Sequence, residues 1–299
     1  MIDLTKLTTE RRNPNSMELD KMSALEIVTL MNEEDNNVVN GVNEVLPQIA
    51  QACQWASESI LAGARIIYLG AGTSGRLGLL DAVECPPTFG VDPSQVVGLL
   101  AGGPSAFVKA AEGTEDKEYL GADELKNINL TNKDIVIGLA ASGRTPYVIG
   151  GLNYANELGC KTVAVACNKN SKIGSIAKLA IEPVSGPEVL TGSTRLKSGT
   201  SQKMVLNMIS TCSMILAGKV YENLMVDVKP TNEKLVARAT NIIVAATDCT
   251  LEKAQETFEK ADRSVKVAIV MILLDCDANK AKELLDKNHG FIRKALDNK

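Results

Sequence analysis

Two short loops rich in glycine and hydroxyl residues are the part of this sequence best suited to hold a phosphate group. The first, GAGTSG at Gly70–Gly75, follows an apolar run and leads into a helical pattern. The second, Ala140–Pro146, combines serine, glycine and threonine in the same setting. Helix N-termini carry partial positive charge and unpaired N–H groups, so each loop can bind an anion. The residues that we expect to hold one phosphate from two sides are Thr73, Ser74, Ser142, Gly143 and Thr145.

A third polar stretch, Thr191–Thr200, precedes a long helical pattern. We expect it to complete the wall of the same cavity through Ser193, although a solvated loop is an equal alternative. Ser142 and Thr145 have an alternative role as well, because hydroxyl residues at a helix start often only cap the helix.

The spacing G-x-G-x-x-G also occurs in dinucleotide-binding folds, where the second strand ends in an acidic residue that bonds the ribose. Here the second apolar run, Val96–Leu100, exits through Ala101-Gly102-Gly103-Pro104 without a carboxylate. The fingerprint is therefore incomplete, and we expect no nicotinamide or flavin cofactor. We expect no metal either, since the single histidine, His289, excludes a histidine-based zinc site.

The elements that must position these loops alternate between short apolar runs and helical patterns, which is typical of β-α-β units and a parallel sheet covered on both faces. The predicted strands are Ile66–Leu69, Val96–Leu100, Ile135–Leu139, Thr162–Ala166 and Leu179–Ile181. Ligands of such sheets bind at the carboxyl ends of the strands. The two loops lie at those ends.

Helical patterns fill most of the remaining chain. A capping box at Ser23–Glu26 opens one helix, and the apolar positions from Val38 to Ile60 predict a second that Pro47 kinks or breaks. Further predicted helices cover 146–158, 199–216, 231–247, 250–260, 264–274 and 277–287. The last four predict a small helical bundle. We divide the chain into an N-terminal arm with helices at 1–62, a sugar-phosphate-binding domain at 63–225 and a helical subdomain at 226–299.

Composition excludes several classes of partner. The 299 residues carry a net charge of −4 and only 3% aromatic side chains, which argues against nucleic acid. The most apolar stretch, Val265–Leu274, is too short to span a membrane and contains Lys266. The seven cysteines show no C-x-x-C spacing and predict a reduced, cytoplasmic setting. The expected partner is a small molecule.

Longer motifs connect these loops to a known family. Gly70–Arg76 and Ala140–Tyr147 resemble the sugar isomerase (SIS) domain, which binds phosphorylated sugars. Five stretches are similar to the N-acetylmuramic acid 6-phosphate etherase family: GAGTSGRLGLLDAVECPPTFG (70–90), AAEGTED (110–116), ASGRTPYVIGGL (141–152), TGSTRLKSGTSQK (191–203) and NLMVDVKPTNEKL (223–235). The resemblance implies an α/β fold, an SIS-type three-layer αβα sandwich around a parallel five-stranded sheet, with the N-terminal helices and C-terminal bundle attached.

One departure lies near the end of the chain. The sequence has Asn288-His289-Gly290-Phe291 where the family pattern is His-Gly-Gly-Phe. A role for His289 therefore stays open beside that of a surface or capping residue.

The resemblance also implies a reaction: cleavage of the D-lactyl ether at C3 of N-acetylmuramic acid 6-phosphate. A base removes the C2 proton of the ring-opened aldehyde and an acid protonates the departing ether oxygen. Water then adds to give N-acetylglucosamine 6-phosphate. This chemistry needs two carboxyl groups in different protonation states and no metal.

Glu84 and Glu115 are the carboxyl groups that match. Glu84 lies among Val83, Cys85 and Pro86, where burial would raise its pKa and keep it protonated. Glu115 follows the second predicted strand. By resemblance, Glu84 is the proton donor and Glu115 the base, although these roles are exchangeable. From the residues alone, a salt bridge for Glu84 and a solvated acidic run for Glu115 remain alternatives, and Glu112 is close enough to be confused with Glu115.

Two other functions remain open. An aldose–ketose isomerase on the same domain would need one base and no acid suited to a C3 leaving group. A non-catalytic sugar-phosphate-binding regulator would need a segment for its partner, and only the chain beyond residue 231 is available for that. SIS domains commonly pair, so we expect a homodimer, with this helical segment over the active-site mouth or in the dimer interface.

Overall fold

The computed structural model describes residues 7–109, 113–230 and 232–297. These residues form two compact units. The first combines the chain up to Val83 with Ser94–Thr211, and the second combines Glu84–Pro93 with the chain from Cys212 onward. Glu112 lies outside the described residues, and the three-segment division at residues 62 and 225 stays a prediction.

A parallel five-stranded sheet forms the centre of the first unit and confirms the predicted fold class. The strands follow one another in the order β2-β1-β3-β4-β5. Their bounds are β1 Ile66–Gly70, β2 Val96–Leu100, β3 Ile135–Leu139, β4 Lys161–Val165 and β5 Leu179–Ile181. Every residue of β1 and β3 is buried, as expected for strands covered on both faces.

The first unit has seven α-helices within its described residues, and four of them begin at a capping serine or at a proline. The seven helices are α1 Ala24–Asn43, α2 Leu46–Leu61, α3 Gly72–Phe89, α4 Glu118–Asn127, α5 Pro146–Glu157, α6 Lys172–Ile176 and α7 Lys197–Leu216. The Ser23 capping box is present, and Pro47 lies in the first turn of α2 after a break in the helix. α3 and α7 end within the second unit. α4 and α6 were not predicted.

Helices α4 and α5 approach each other closely through glycines. A Cβ at Gly121 would lie 2.0 Å from the carbonyl oxygen of Tyr147, and one at Gly150 would lie 1.9 Å from that of Glu118. Between the helices, the Tyr147 hydroxyl donates to Oε2 of Glu124. A larger side chain at either glycine would push the two backbones apart. Because glycine allows the close approach, the loops that lead into α4 and α5 lie side by side.

The second unit is mainly helical and confirms the four predicted C-terminal helices where residues are described. Its helices are α8 Glu233–Thr247, α9 Leu251–Lys260, α10 Val265–Leu274, α11 Ala278–Lys287 and α12 Ile292–Asp297, and the last was not predicted. A short antiparallel hairpin, β6 Val220–Tyr221 and β7 Leu224–Met225, was also missed. Within the described ranges, no helix is both long and apolar enough to span a membrane.

A buried lysine joins the hairpin segment to α10. Lys266 donates to the carbonyl oxygen of Gly218 at 3.0 Å and to Oδ2 of Asp227 at 2.8 Å. Burial lowers its pKa, against the raising effect of Asp227. The single charge of the predicted apolar stretch is thus paired inside the protein.

Candidate active site

A cavity of about 390 Å³ lies in the first unit, at the carboxyl ends of β1 and β3. In the register of these neighbouring strands, Gly70 pairs with Leu139, so the loops that follow them start side by side. The strand order reverses direction between β1 and β3, which is where open α/β sheets bind ligands. The sheet therefore brings the two predicted anion-binding loops to one site.

Five of the predicted site residues line this cavity: Thr73, Ser74, Ser142, Thr145 and Glu115. The capping alternative for Thr145 is not realised, because its side chain makes no capping hydrogen bond to α5. Ser74 is buried, and its hydroxyl donates to Oε1 of Gln202 at 2.8 Å, which fixes it from the side of α7.

Gly143 and Ser193 are not among the lining residues. Gly143 adopts a φ of 72°, and a Cβ there would lie 2.3 Å from Cβ of Ser171. It therefore makes the turn that presents Ser142. Ser193 lies in a turn in which its backbone N–H donates a hydrogen bond to the carbonyl oxygen of Leu190 at 3.0 Å. Its neighbour Thr194 lines the cavity instead.

The two arginines beside the loops differ. Arg144 lines the cavity. Arg76 donates to the carbonyl oxygens of Phe107 at 2.9 Å and Ala106 at 2.8 Å, so its guanidinium holds the backbone after β2.

Glu115 has an exposed side chain at the cavity and a fixed backbone. Its carbonyl oxygen accepts a hydrogen bond from the backbone N–H of Tyr147, 3.0 Å away. Tyr147 is fully buried and is held in turn by Glu124, whose pKa is raised by burial against the lowering effect of the tyrosine hydroxyl. The chain before α4 is thereby tied to the first turn of α5.

Glu84 belongs to the second unit and does not line this cavity. The prediction that its apolar neighbours bury it is wrong, because its side chain is exposed. On α3, Ala82 and Cys85 point inward while Val83 and Glu84 point outward. The face of α3 on which Glu84 lies, and not the apolar character of its neighbours in sequence, decides its exposure.

Sequence reasoning missed the contribution of the N-terminal arm. Leu7 and Glu10 line the cavity, and three short 3-10 helices precede α1 in the chain. Two of the partners that hold the arm, Asn168 and Pro187, lie 160 and 174 residues away in the sequence from the arm residues that they contact. No local pattern signals such a contact.

A buried ion pair supports the polar stretch before α7. Nζ of Lys197 contacts Oε2 of Glu34, and the two side chains are 1% and 8% exposed. Burial raises the pKa of Glu34, but hydrogen bonds from Lys197 and two asparagines outweigh it, so the pKa is lowered. Glu188 accepts hydrogen bonds from the N–H groups of Lys197 and Ser198, both at 2.9 Å. The end of this stretch is therefore buried and capped, and is not a solvated loop.

Two solved phosphoheptose isomerases share this arrangement of strands and helices. One from Francisella tularensis matches with a TM-score of 0.50 at 14% identity, over 65% of this chain and 100% of that one. Another, from Neisseria gonorrhoeae, matches with a TM-score of 0.50 at 14% identity, over 64% and 99% of the two chains. At such low identity the likeness concerns the fold.

The strand order and the paired loops define an α/β protein of the SIS type. The model of the glucokinase regulatory protein N-terminal SIS domain matches residues 48–156, and that of the SIS domain matches residues 118–211. Curated N-acetylmuramic acid 6-phosphate etherases from Vibrio campbellii and Bacillus mycoides are 56% and 57% identical, each over 98% of this chain and 96% and 100% of their own lengths. The chain belongs to the N-acetylmuramic acid 6-phosphate etherase family.

Proposed function

We propose that this protein is an N-acetylmuramic acid 6-phosphate etherase that recycles cell-wall amino sugar, releasing D-lactate and N-acetylglucosamine 6-phosphate. The observation that carries the proposal is identity of 56% to curated etherases over nearly the whole chain. The cavity in the first unit supports it, because two hydroxyl loops and a carboxylate, Glu115, line the same space.

In this proposal, binding of the 6-phosphate group positions the substrate in the cavity. Thr73, Ser142 and Thr145 line the cavity beside the starts of α3 and α5, where unpaired N–H groups and the helix dipoles favour an anion. Ser74, Gly143 and Ser193 complete the proposed binding set, with Gly143 and Ser193 acting through the shape of their turns. Binding energy at the phosphate, away from the reacting bonds, orients C2 and C3 for the chemistry.

In the proposed mechanism Glu115 is the base and Glu84 the acid. Glu115 removes the C2 proton of the open-chain sugar, and the electron pair left on C2 is delocalised into the C1 carbonyl. The C3–O bond then breaks as Glu84 protonates the lactyl oxygen, and water adds across the C2–C3 double bond. The carbonyl serves as the electron sink, so the proposal requires no metal or other cofactor.

Glu84 is exposed to bulk water in the single chain, whereas an active site gains from excluding water around the reacting groups. We infer that bound substrate or a second copy of the chain covers it. This is one reason to propose a homodimer, which light scattering of the purified protein measures directly. A monomer at working concentration would contradict it.

The test couples D-lactate release to isotope exchange. Wild-type protein should release D-lactate, and both Glu84→Gln and Glu115→Gln should lower the rate by at least about a hundredfold, within the range of general acid–base catalysis. In deuterated water, Glu84→Gln should still exchange the C2 proton, whereas Glu115→Gln should not. Glu33→Gln, an exposed carboxylate on α1, is the matched control.

Other outcomes separate the alternatives. Full lactate release by Glu115→Gln would refute the assigned base, and the opposite exchange pattern would reverse the two roles. Ketose formation without lactate would indicate an isomerase, and binding without turnover a regulator.

The proposed setting is the bacterial cytoplasm, with a small-molecule substrate and neither nucleic acid nor membrane as a partner.

A further inference from the structure

We propose that Glu10 is a specificity-determining residue of the cavity and that its carboxylate accepts hydrogen bonds from the sugar part of the substrate. The inference rests on the proposed function for the identity of the ligand. Its structural basis is the N-terminal arm, which we define as residues 7–16. Leu7 and Glu10 from this arm form part of the cavity lining.

The arm is anchored before Glu10 by Asn168, which is 3% exposed. Oδ1 of Asn168 accepts the backbone N–H of Thr8 at 2.7 Å, and its amide nitrogen donates to the hydroxyl of Thr9 at 3.1 Å. The same nitrogen donates to the carbonyl oxygen of Ala141 at 3.2 Å. A single buried side chain thus ties the arm to the residue that precedes Ser142.

The arm is anchored after Glu10 by Asn13, which is also 3% exposed. The amide nitrogen of Asn13 donates to Oε2 of Glu34 at 2.8 Å and to the carbonyl oxygen of Pro187 at 3.1 Å. Glu34 is the partner of buried Lys197. Glu10 therefore lies on a segment that hydrogen bonds hold on both sides, and this fixes its position in the cavity lining.

The Glu10 carboxylate is half-buried and faces the turn at Gly192, where a Cβ would lie 3.5 Å from Oε2. Within the described part of the chain, no side chain donates a hydrogen bond to it. A half-buried carboxylate of this kind gains most from a ligand that supplies donors.

The chemistry of those donors follows from charge. A carboxylate repels a phosphate group nearby, and the repulsion is stronger at the partly desolvated edge of a protein than in water. Glu10 is therefore suited to neutral donors, the hydroxyl groups or the amide N–H of an amino sugar, while the hydroxyl loops take the phosphate. One end of the cavity would then bind the anionic phosphate, and the other would bind neutral hydrogen-bond donors of the sugar.

The test compares two ligands by calorimetry: N-acetylglucosamine 6-phosphate and inorganic phosphate. Glu10→Ala should weaken binding of the sugar phosphate about tenfold, the value of one hydrogen bond to a charged group. It should leave inorganic phosphate binding unchanged or slightly tighter. Glu33→Ala should change neither value.

A second variant tests the anchoring. Thr9→Val removes the hydroxyl that accepts from Asn168 and leaves the contact of Asn168 with Ala141 in place. It should weaken sugar phosphate binding selectively, and its combination with Glu10→Ala should bind no more weakly than Glu10→Ala, because both changes act through the same contact. Equal weakening of both ligands by Glu10→Ala, or no change in either, would overturn the proposal. If wild-type protein releases no D-lactate but the selective loss appears, the proposed reaction fails and the role of Glu10 stands.

Discussion

The hydrogen bond between Tyr147 and Glu124 allows a quantitative test of how the Glu115 segment is held. Tyr147→Phe removes the hydroxyl that donates to Glu124 and leaves the packing of the ring in place. The backbone of residue 147 still donates to Glu115. The variant therefore isolates the side-chain bond between α5 and α4.

The expected loss follows from the burial of both groups. A hydrogen bond to a charged partner contributes about 1.5 to 3 kcal/mol, and a half-buried carboxylate left without its donor loses most of that. We expect the free energy of unfolding of the first unit to fall by about 2 kcal/mol near pH 8. D-Lactate release should slow several-fold with little change in KM, since the variant loosens the segment of the proposed base, Glu115, and not the proposed phosphate site.

The loss should depend on pH in a defined direction. Burial raises the folded-state pKa of Glu124 above 4.5, so its contribution to stability is favourable below that pH and is lost as the pH rises through the raised value. Removing the tyrosine hydroxyl penalises the charged carboxylate more than the protonated carboxyl group, because hydrogen bonds to charged acceptors are stronger. The deficit of Tyr147→Phe should therefore be larger near pH 8 than near pH 4.5.

Urea denaturation at the two pH values measures this, with Tyr68→Phe as the matched control. The Tyr68 hydroxyl also donates to a buried carboxylate, Asp81, at 2.8 Å. Asp81 keeps its hydrogen bonds from Asn207 at 2.7 Å and Ser210 at 3.1 Å, so Tyr68→Phe should cost less stability near pH 8 than Tyr147→Phe. An equal deficit for Tyr147→Phe at both pH values would refute the reasoning.

Three further predictions concern the same unit. Lys197→Met leaves the Glu34 carboxylate buried without its cation and should cost about 3 to 5 kcal/mol in urea denaturation; a loss below 1 kcal/mol would show that the pair is dispensable. Gly121→Ala places a methyl group against the Tyr147 carbonyl and should lower the free energy of unfolding by about 1 to 3 kcal/mol; unchanged stability would contradict the close approach of α4 and α5. Burial raises the pKa of Cys167 to about 12, so native-state iodoacetamide labelling followed by mass spectrometry should find it unmodified near pH 8; rapid labelling would mean that its surroundings open.

The strands were predictable because buried parallel strands are continuous apolar runs bounded by loops. The fourth begins one residue earlier than predicted, at Lys161, whose ammonium group reaches outward to Glu58. Helix α4 escaped prediction because its sequence is mostly polar and its packing depends on Gly121, which a hydrophobic pattern does not register.

The hydroxyl loops of the candidate site were predictable from the sequence, but the exposure of Glu84 and the position of Glu10 were not. The hydroxyl loops follow directly from strand, glycine and helix start in the sequence. The exposure of Glu84 depends on which face of α3 it occupies, and apolar neighbours gave the wrong answer. Glu10 could not be found from local sequence, because its position depends on contacts of Thr8 and Asn13 with residues 160 and 174 positions away.

The anchoring of the arm sets an order of events during synthesis. The arm is synthesised well before two of its partners, Asn168 and Pro187, which lie 160 and 174 residues further along the chain from the arm residues that they contact. Both hydroxyl loops precede Asn168 in the chain, so they are synthesised while the arm still lacks Asn168 and Pro187. Closing so long a loop costs entropy that only the finished contacts offset. With the roles proposed above, the phosphate-binding loops would be synthesised before the sugar-selecting segment can be fully anchored.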